Sequence, residues 1–275
     1  MTLEDTGERQ LDALYRPLSL FDVAGKTAVI TGASGAYGRT IAIALASLGC
    51  RLLLASGSQN ALSEVARAAS AAGGEVELIR ARPDSLDDAS AIVGAAVAAF
   101  GAPDMLVVAS GLNVPAMVDD AVLEEWQAVM DANVRGPWLM AKAFSAAVGE
   151  RGRGKKILFV SSVRGRLGNA AGYSAYCTSK GGVDALTRVL ATEWGPRGIT
   201  VNAIAPTVFR SSLTSWIFAD DDRGQAARAR NVSRIPLGRL GEPEDLVGAS
   251  IFLLSPASDF CTGQVFYVDG GYTAG

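Results

Sequence analysis

Thr27-Ala-Val-Ile-Thr-Gly-Ala-Ser-Gly-Ala-Tyr-Gly38 is a short apolar run that closes on a glycine-rich turn. A brief apolar run bounded by glycine reads as a buried strand, and the residues beyond it predict a helix from about Tyr37 to Leu48, stopped by Gly49. Glycines at 32, 35 and 38 permit a tight turn and let backbone N–H groups approach a pyrophosphate at the positive end of that helix. A plain tight turn would use the same glycines. What surrounds the stretch decides between the two.

Outward from it, apolar strands alternate with helices. Strands are predicted at 51–55, 75–80, 105–109, 156–161, 200–204 and 265–268, and helices at 61–72, 86–100, 123–148, 176–194, 211–230 and 243–254. Such alternation implies right-handed crossovers and a parallel sheet covered on both faces. The expected class is α/β, a doubly wound, Rossmann-like parallel sheet in three α/β/α layers, forming one domain over residues 25–275. Residues 1–24 read as an N-terminal extension that packs through Leu11, Leu14, Tyr15, Leu18, Leu20 and Phe21. The segment 206–241, with Phe209, Trp216, Phe218 and the run Asp220-Asp221-Asp222, is the least regular. It reads as a substrate lid or as surface packing.

Composition narrows the function. The 275 residues can bury a sizeable core, and 49% hydrophobic with 19% charged suits a compact soluble enzyme. A net charge of −3 gives no electrostatic footprint for nucleic acid, and no apolar run approaches the roughly 18 residues of a membrane span. Met1-Thr-Leu-Glu-Asp-Thr-Gly-Glu-Arg9 is acidic and lacks the basic start and apolar core of a signal peptide. Cysteines at 50, 177 and 261 fit reduced thiols, and a cytoplasmic location is expected. Histidine is absent, which removes Ser-His-Asp chemistry and every His-containing metal site, and no metal is expected.

Without histidine the proton must be handled by another group. Tyr176 and Lys180 stand four residues apart at the start of a helix-like run, on one face and about one turn apart. An ammonium beside a phenol favours the phenolate and draws its pKa below the ordinary value of about 10. An ordinary helix-surface Tyr beside a solvated Lys has the same spacing.

Context comes from order. The turn at 31–38, Asn133 in Asp131-Ala-Asn-Val134, Ser162, the Tyr176/Lys180 pair and Val201-Asn-Ala-Ile-Ala-Pro206 occur in the order of the short-chain dehydrogenase/reductase family. Arg234-Ile-Pro-Leu-Gly-Arg-Leu-Gly-Glu-Pro-Glu-Asp-Leu246 and Thr262-Gly-Gln-Val-Phe-Tyr-Val-Asp-Gly-Gly271 also resemble that family, so the likeness runs from about Gly25 to Gly271. It implies an NAD(P)-dependent oxidoreductase that moves hydride between the cofactor and a small-molecule carbonyl or secondary alcohol. It implies Tyr176 as general acid/base, and Lys180 as the group that lowers its pKa and holds the nicotinamide ribose. Ser162 would bond the substrate oxygen, and Asn133 would hold a water linking Lys180 to solvent. Neighbouring Ser161 reads as structural.

Cofactor contacts are implied at Gly32, Ser34, Gly35, Ala36, Tyr37, Gly38, Arg39, Ser56, Asp84, Ser110, Gly111, Pro206, Val208 and Ser211, besides Tyr176 and Lys180. Asn113, Arg164, Tyr173 and Trp216 are the expected substrate-pocket residues. The chain departs from the family pattern at Ala36, where glycine is usual, at Val108-Ala-Ser-Gly111, where Asn-Asn-Ala-Gly is usual, and at Thr207, where glycine is usual. No carboxylate lies between Cys50 and Ser63, so the repulsion that excludes a 2′-phosphate is missing. NADP is preferred on this ground, with Arg39 within reach of a phosphate, and NAD remains possible. Arg164 and Arg166 follow Ser162 and suit either an anionic substrate or a surface or subunit contact. The resemblance also implies a homotetramer paired through the helices at 123–148 and 176–194. Alternative functions are a tightly NAD-bound epimerase or dehydratase, for whose larger substrate domain 275 residues leave little room, and a non-catalytic nucleotide-sensing module.

Overall fold

The structure is a computed structural model that describes residues 13–150 and 152–275. Its strands are β1 (Thr27–Thr31), β2 (Arg51–Ser56), β3 (Glu75–Arg80), β4 (Met105–Val108), β5 (Lys155–Val160), β6 (Ile199–Pro206) and β7 (Val265–Val268). All pair in parallel, in the order β3-β2-β1-β4-β5-β6-β7. The order reverses between β1 and β4, which opens a crevice at the carboxyl ends of the strands.

Side chains alternate between the two faces, as the strand period requires. Ile30, Leu52 and Leu54 join α1 (Ala36–Ser47), α2 (Gln59–Ala71) and α8 (Val247–Leu254) in one core. Val29, Leu53 and Ala55 join α3 (Leu86–Phe100), α5 (Gly136–Val148) and α6 (Ser174–Trp194) in the other. Burial on both faces explains why these strands read as continuous apolar runs. A third, smaller core of Val163, Ile217, Ala227, Ile235, Leu240 and Tyr272 lies under the 206–241 segment.

Three predicted helices are divided. The run at 123–148 is α4 (Leu123–Met130), a π-helical turn (Asp131–Arg135) and α5. The run at 211–230 is a 3-10 helix (Ser212–Phe218) followed by α7 (Asp222–Val232), whose first turn is capped by Asp221 accepting from Gly224 N at 2.6 Å. The run at 243–254 begins as a 3-10 turn (Pro243–Leu246) before α8. In the extension, Leu11 lies outside the described residues. Leu14, Tyr15 and Leu18 are 77%, 81% and 82% exposed, so the packing expected of them is not made within the chain; Val23 is the buried anchor instead.

Gly32 ends β1 with φ +68°, and a Cβ there would overlap the backbone N of Ser110. Gly25 has a similar φ of +70° with open space around it. Gly32→Ala should therefore destabilise by about 2–4 kcal/mol, combining left-handed strain with overpacking, whereas Gly25→Ala should cost only about 1–2 kcal/mol. Urea unfolding of both variants checks this through the midpoint shift at constant m.

Candidate active site

β5 and α6 build the centre. Lys180 is 3% exposed, and its Nζ donates to the carbonyl of Val160, the last residue of β5, at 2.8 Å. Its Nζ lies 5.6 Å from the ring centroid of Tyr176, one turn earlier on α6. The next residue of the strand end, Ser161, donates to Asp184 Oδ1 at 2.5 Å, so strand and helix are tied twice. Ser162 follows in extended conformation and caps the 3-10 turn Val163–Gly165 by accepting from Arg164 N at 3.2 Å; its hydroxyl also acts to lower the pKa of the Tyr176 phenol. Gly165 rests on Asp184, where a Cβ would overlap the carboxylate.

Asn133 enters from the π-helical turn, a widened turn of the kind found at functional sites. It is fully buried, accepts from Leu112 N at 2.7 Å, and donates to Leu112 O at 2.8 Å and Ser179 Oγ at 2.9 Å. The structure thus brings Asn133, Ser162, Tyr176 and Lys180 together. A Cβ on Gly111 would stand 3.6 Å from both Asn133 Oδ1 and Lys180 Nζ.

Burial governs the two titrating groups. It pushes the Tyr176 phenol up to about 12, against the lowering effects of the Ser162 hydrogen bond and the Arg164 guanidinium. It brings Lys180 down to about 8, partly opposed by Asp184. The lowering of Tyr176 expected from Lys180 is not found: burial outweighs the opposing effects of Ser162 and Arg164, and the Lys180 ammonium donates to Val160 O and lies over the Tyr176 ring. Asp184 is itself raised by burial, with Ser161, Arg188 and Lys180 acting the other way.

The crevice beside this centre fits a dinucleotide. Gly35 caps α1, and the N–H groups of Ala36, Tyr37 and Gly38 in its first turn have no intrahelical partners. A Cβ on Gly38 would overlap the carbonyl of Gly32, so the turn closes only around glycine. Buried Ser110 Oγ, Asn113 Oδ1 and Thr207 Oγ1 have no protein partner, and polar atoms left bare in this way suit a polar ligand. At the end of β2, Ser34 and Ser56 hydroxyls share a 2.5 Å hydrogen bond. Gly57, next to Ser56, lies under Arg82: a Cβ there would stand 3.0 Å from Arg82 Cζ. The sequence reading passed over Arg82, whose only signal is its place two residues beyond β3. Arg39 is exposed and makes no ion pair among the described residues.

Asp84 lies exposed before α3, with its N–H bonded to Arg82 O. Pro206 ends β6, and its carbonyl lies 3.5 Å from Ser162 Oγ. Val208 O accepts from Gly241 N, while the Ser211 hydroxyl is engaged with Thr214 in a capping box. Tyr173 meets Tyr176 edge-on at 6.0 Å. Trp216 is 40% exposed and its ring stacks with Arg223 of the same 206–241 segment. Among the described residues no His/Cys/Asp/Glu group could hold a metal, and no helix is long and apolar enough to cross a membrane.

The family model described as enoyl-(acyl carrier protein) reductase matches residues 32–273. The chain belongs to the short-chain dehydrogenase/reductase family. It is 52% identical over 257 residues to an uncharacterized oxidoreductase of Mycobacterium tuberculosis, covering 94% of each chain. It is 34% identical to 2-dehydro-3-deoxy-D-gluconate 5-dehydrogenase of Escherichia coli, covering 94% of this chain and 99% of the relative. A solved gluconate 5-dehydrogenase from Burkholderia cenocepacia, in complex with NADP and tartrate, superposes with TM-score 0.86 at 30% identity, covering 94% and 100%. The protein is accordingly an NAD(P)-dependent oxidoreductase of alcohol or carbonyl substrates.

Lys180 loses its proton as pH rises through about 8, well below the 10.5 of an ordinary lysine. Between pH 8 and 10.5 the unfolded chain holds the extra proton, so this group makes stability rise with pH across that window. In 15N NMR of lysine Nζ, one resonance should titrate near pH 8 and vanish in Lys180→Met. A full set titrating above 10 would contradict the burial.

Proposed function

We propose that this oxidoreductase prefers NADP and works in the cytoplasm as a homotetramer. Tyr176 exchanges a proton with the substrate oxygen, Ser162 holds that oxygen, and Lys180 holds the nicotinamide ribose. The observation that carries the reading is the buried Lys180, held on the Val160 carbonyl at the open end of β5 with its Nζ 5.6 Å from the Tyr176 ring and with Ser162 two residues beyond Val160. The bound cofactor gives or takes the hydride, and the chain supplies orientation, proton and electrostatics. Ser162, fixed at the strand end, donates to the oxygen as charge develops on it. The Tyr176 phenol, high in pKa, is the proton donor in reduction, and the same atom takes the proton back in oxidation.

Asn133 holds the 111–112 loop against α6, and the space left by Gly111 beside Lys180 admits a water that links Nζ to solvent. Gly32, Ser34, Gly35, Ala36, Tyr37 and Gly38, at the N-terminus of α1, would hold the pyrophosphate. Ser110, Gly111, Pro206, Val208 and Ser211 would border the nicotinamide, and Asp84 the adenine.

NADP preference rests on three features. Ser56 stands where an acidic side chain would repel a phosphate, Arg82 lies over Gly57 beside it, and the similar gluconate 5-dehydrogenase carries NADP. The lid at 206–241 pivots on Phe209, which is buried between Tyr37, at 5.8 Å, and Gly241. The tetramer is supported by large apolar side chains left exposed on the helices of the family interface, namely Leu123, Trp138 and Val189.

Fluorescence titration of the wild type, Arg82→Ala and Tyr176→Phe with NADPH and NADH, followed by turnover, tests the reading. NADPH should bind at least about 10-fold tighter than NADH, and Arg82→Ala should lose about 10-fold for NADPH alone. Tyr176→Phe should bind NADPH like the wild type yet lose about 1,000-fold in kcat. Tighter NADH binding would overturn the NADP reading, and near-full turnover of Tyr176→Phe would overturn the mechanism.

A further inference from the structure

We propose that Arg164 and Arg234, gathered on the ring of Tyr272, form an anion subsite beside Tyr176, and that the substrate is an alcohol or ketone carrying a carboxylate. This rests on the reading of Ser162 and Tyr176 as the reacting centre. Arg164 is the second residue after Ser162 and is half-buried. Its Nη1 donates to Gly168 O at 2.9 Å, its Nη2 to the Tyr272 hydroxyl at 3.1 Å, and its Cζ lies 5.6 Å from the Tyr272 ring centroid. A guanidinium has five N–H donors, so most of them remain available. The charge is close enough to lower the Tyr176 phenol, which places it in the field of the catalytic oxygen.

Arg234 reaches the same ring from the lid, with its Cζ 4.5 Å from the centroid. Tyr272 is 3% exposed and belongs to the small core that joins the catalytic turn, through Val163, to the lid, through Ile217, Ala227, Ile235 and Leu240. Two positive groups, half-buried Arg164 and exposed Arg234, thus meet one buried ring.

Neither has a carboxylate partner among the described residues. Within the segment Arg210, Arg228 and Arg239 each face an acid, Glu242, Asp220 and Asp245, whereas Arg223 and Arg230, like Arg234, make no ion pair among the described residues. The carboxylate nearest in sequence to Tyr272, Asp269, is spent on its own turn, accepting from Gly271 N, Thr273 N and Thr273 Oγ1. Arg166, which sequence alone could not separate from Arg164, stacks on Tyr267 instead at 5.8 Å. Paired guanidiniums without an acid of their own suit a planar carboxylate, which each can meet with two N–H groups. A carboxylate held by both would also tie the lid to the catalytic turn, since each arginine belongs to one of them.

The test uses the full chain with NADP, and C4–C6 aldonates, the matching neutral alditols and alditol phosphates as probes. Wild-type kcat/KM should favour an aldonate over its alditol by at least about 100-fold, as expected where a site's polar groups would otherwise stay unpaired. Arg164→Gln and Arg234→Gln should each raise the aldonate KM at least about 10-fold with kcat moved far less, and Tyr272→Phe, which releases Arg164, should do so in part. The aldonate should raise the Tm of the wild-type NADP complex, and that shift should shrink in both arginine variants. Equal turnover of alditols, an unchanged KM in both variants, or a preference for the phosphates would overturn the carboxylate assignment. If the aldonate shifts Tm but no probe in any class is turned over, the reading of the reacting centre fails while the subsite stands.

Discussion

A lysine ammonium buried at the end of a strand is the constraint on which the rest depends. Leaving such a charge without partners would cost several kcal/mol, so the chain must bring an acceptor to it. The acceptor is the carbonyl of Val160, free because β5 ends there, and it fixes α6 against the sheet edge. Ser161 adds the second tie through Asp184, and Asn133 ties α6 to the 111–112 loop through Ser179 and Leu112. Ser162 comes next in the chain after these ties, so its hydroxyl inherits their rigidity where it meets Tyr176. The chemistry is positioned by a strand end rather than by a loop, which suits a reaction that needs three groups held to within a fraction of an ångström.

The same sheet edge sets out the cofactor crevice. The turn after β1 and Ser110 beyond β4 meet where the strand order reverses, with Gly32 keeping backbone close to backbone, and Thr207 lies beyond β6 at the same carboxyl edge of the sheet. The 206–241 segment packs on this edge in two ways: Phe209 is buried in the main core against Tyr37, and Ile217, Ala227, Ile235 and Leu240 join Val163 and Tyr272 in the small core.

Much of this was legible in the sequence, and the reason is physical. β1 is buried throughout and reads as a continuous apolar run where the pattern predicts it; the exposed β3 and half-buried β7, at the two sheet edges, also coincide with their predicted ranges, and the others are shifted by a residue or two at their ends. The Tyr176/Lys180 spacing and the glycine turn were readable because each is local. What escaped was set by contacts between distant residues. The π-helical turn at Asp131–Arg135 has no local breaker, and it goes with the tertiary bonds of Asn133. Arg82 gains its place from Gly57, and the Arg164–Tyr272–Arg234 cluster joins three distant parts of the chain. The Tyr176 shift runs opposite to the direction its spacing from Lys180 predicts, because spacing shows neither the burial that raises the phenol nor that the ammonium donates to Val160 O.

The double tie between β5 and α6 is tested most directly at Asp184, which touches no reacting atom. Asp184→Asn keeps an acceptor for Ser161, whereas Asp184→Leu removes it and leaves that buried hydroxyl only the longer 3.4 Å bond to Lys180 O. Measured at saturating substrate and cofactor on folded protein, Asp184→Asn should stay within about 5-fold of wild-type kcat. Asp184→Leu should lose about 100-fold in kcat with its NADPH affinity little changed, the loss expected from a misplacement of about 1 Å at Ser162. A wild-type kcat in Asp184→Leu would contradict the account.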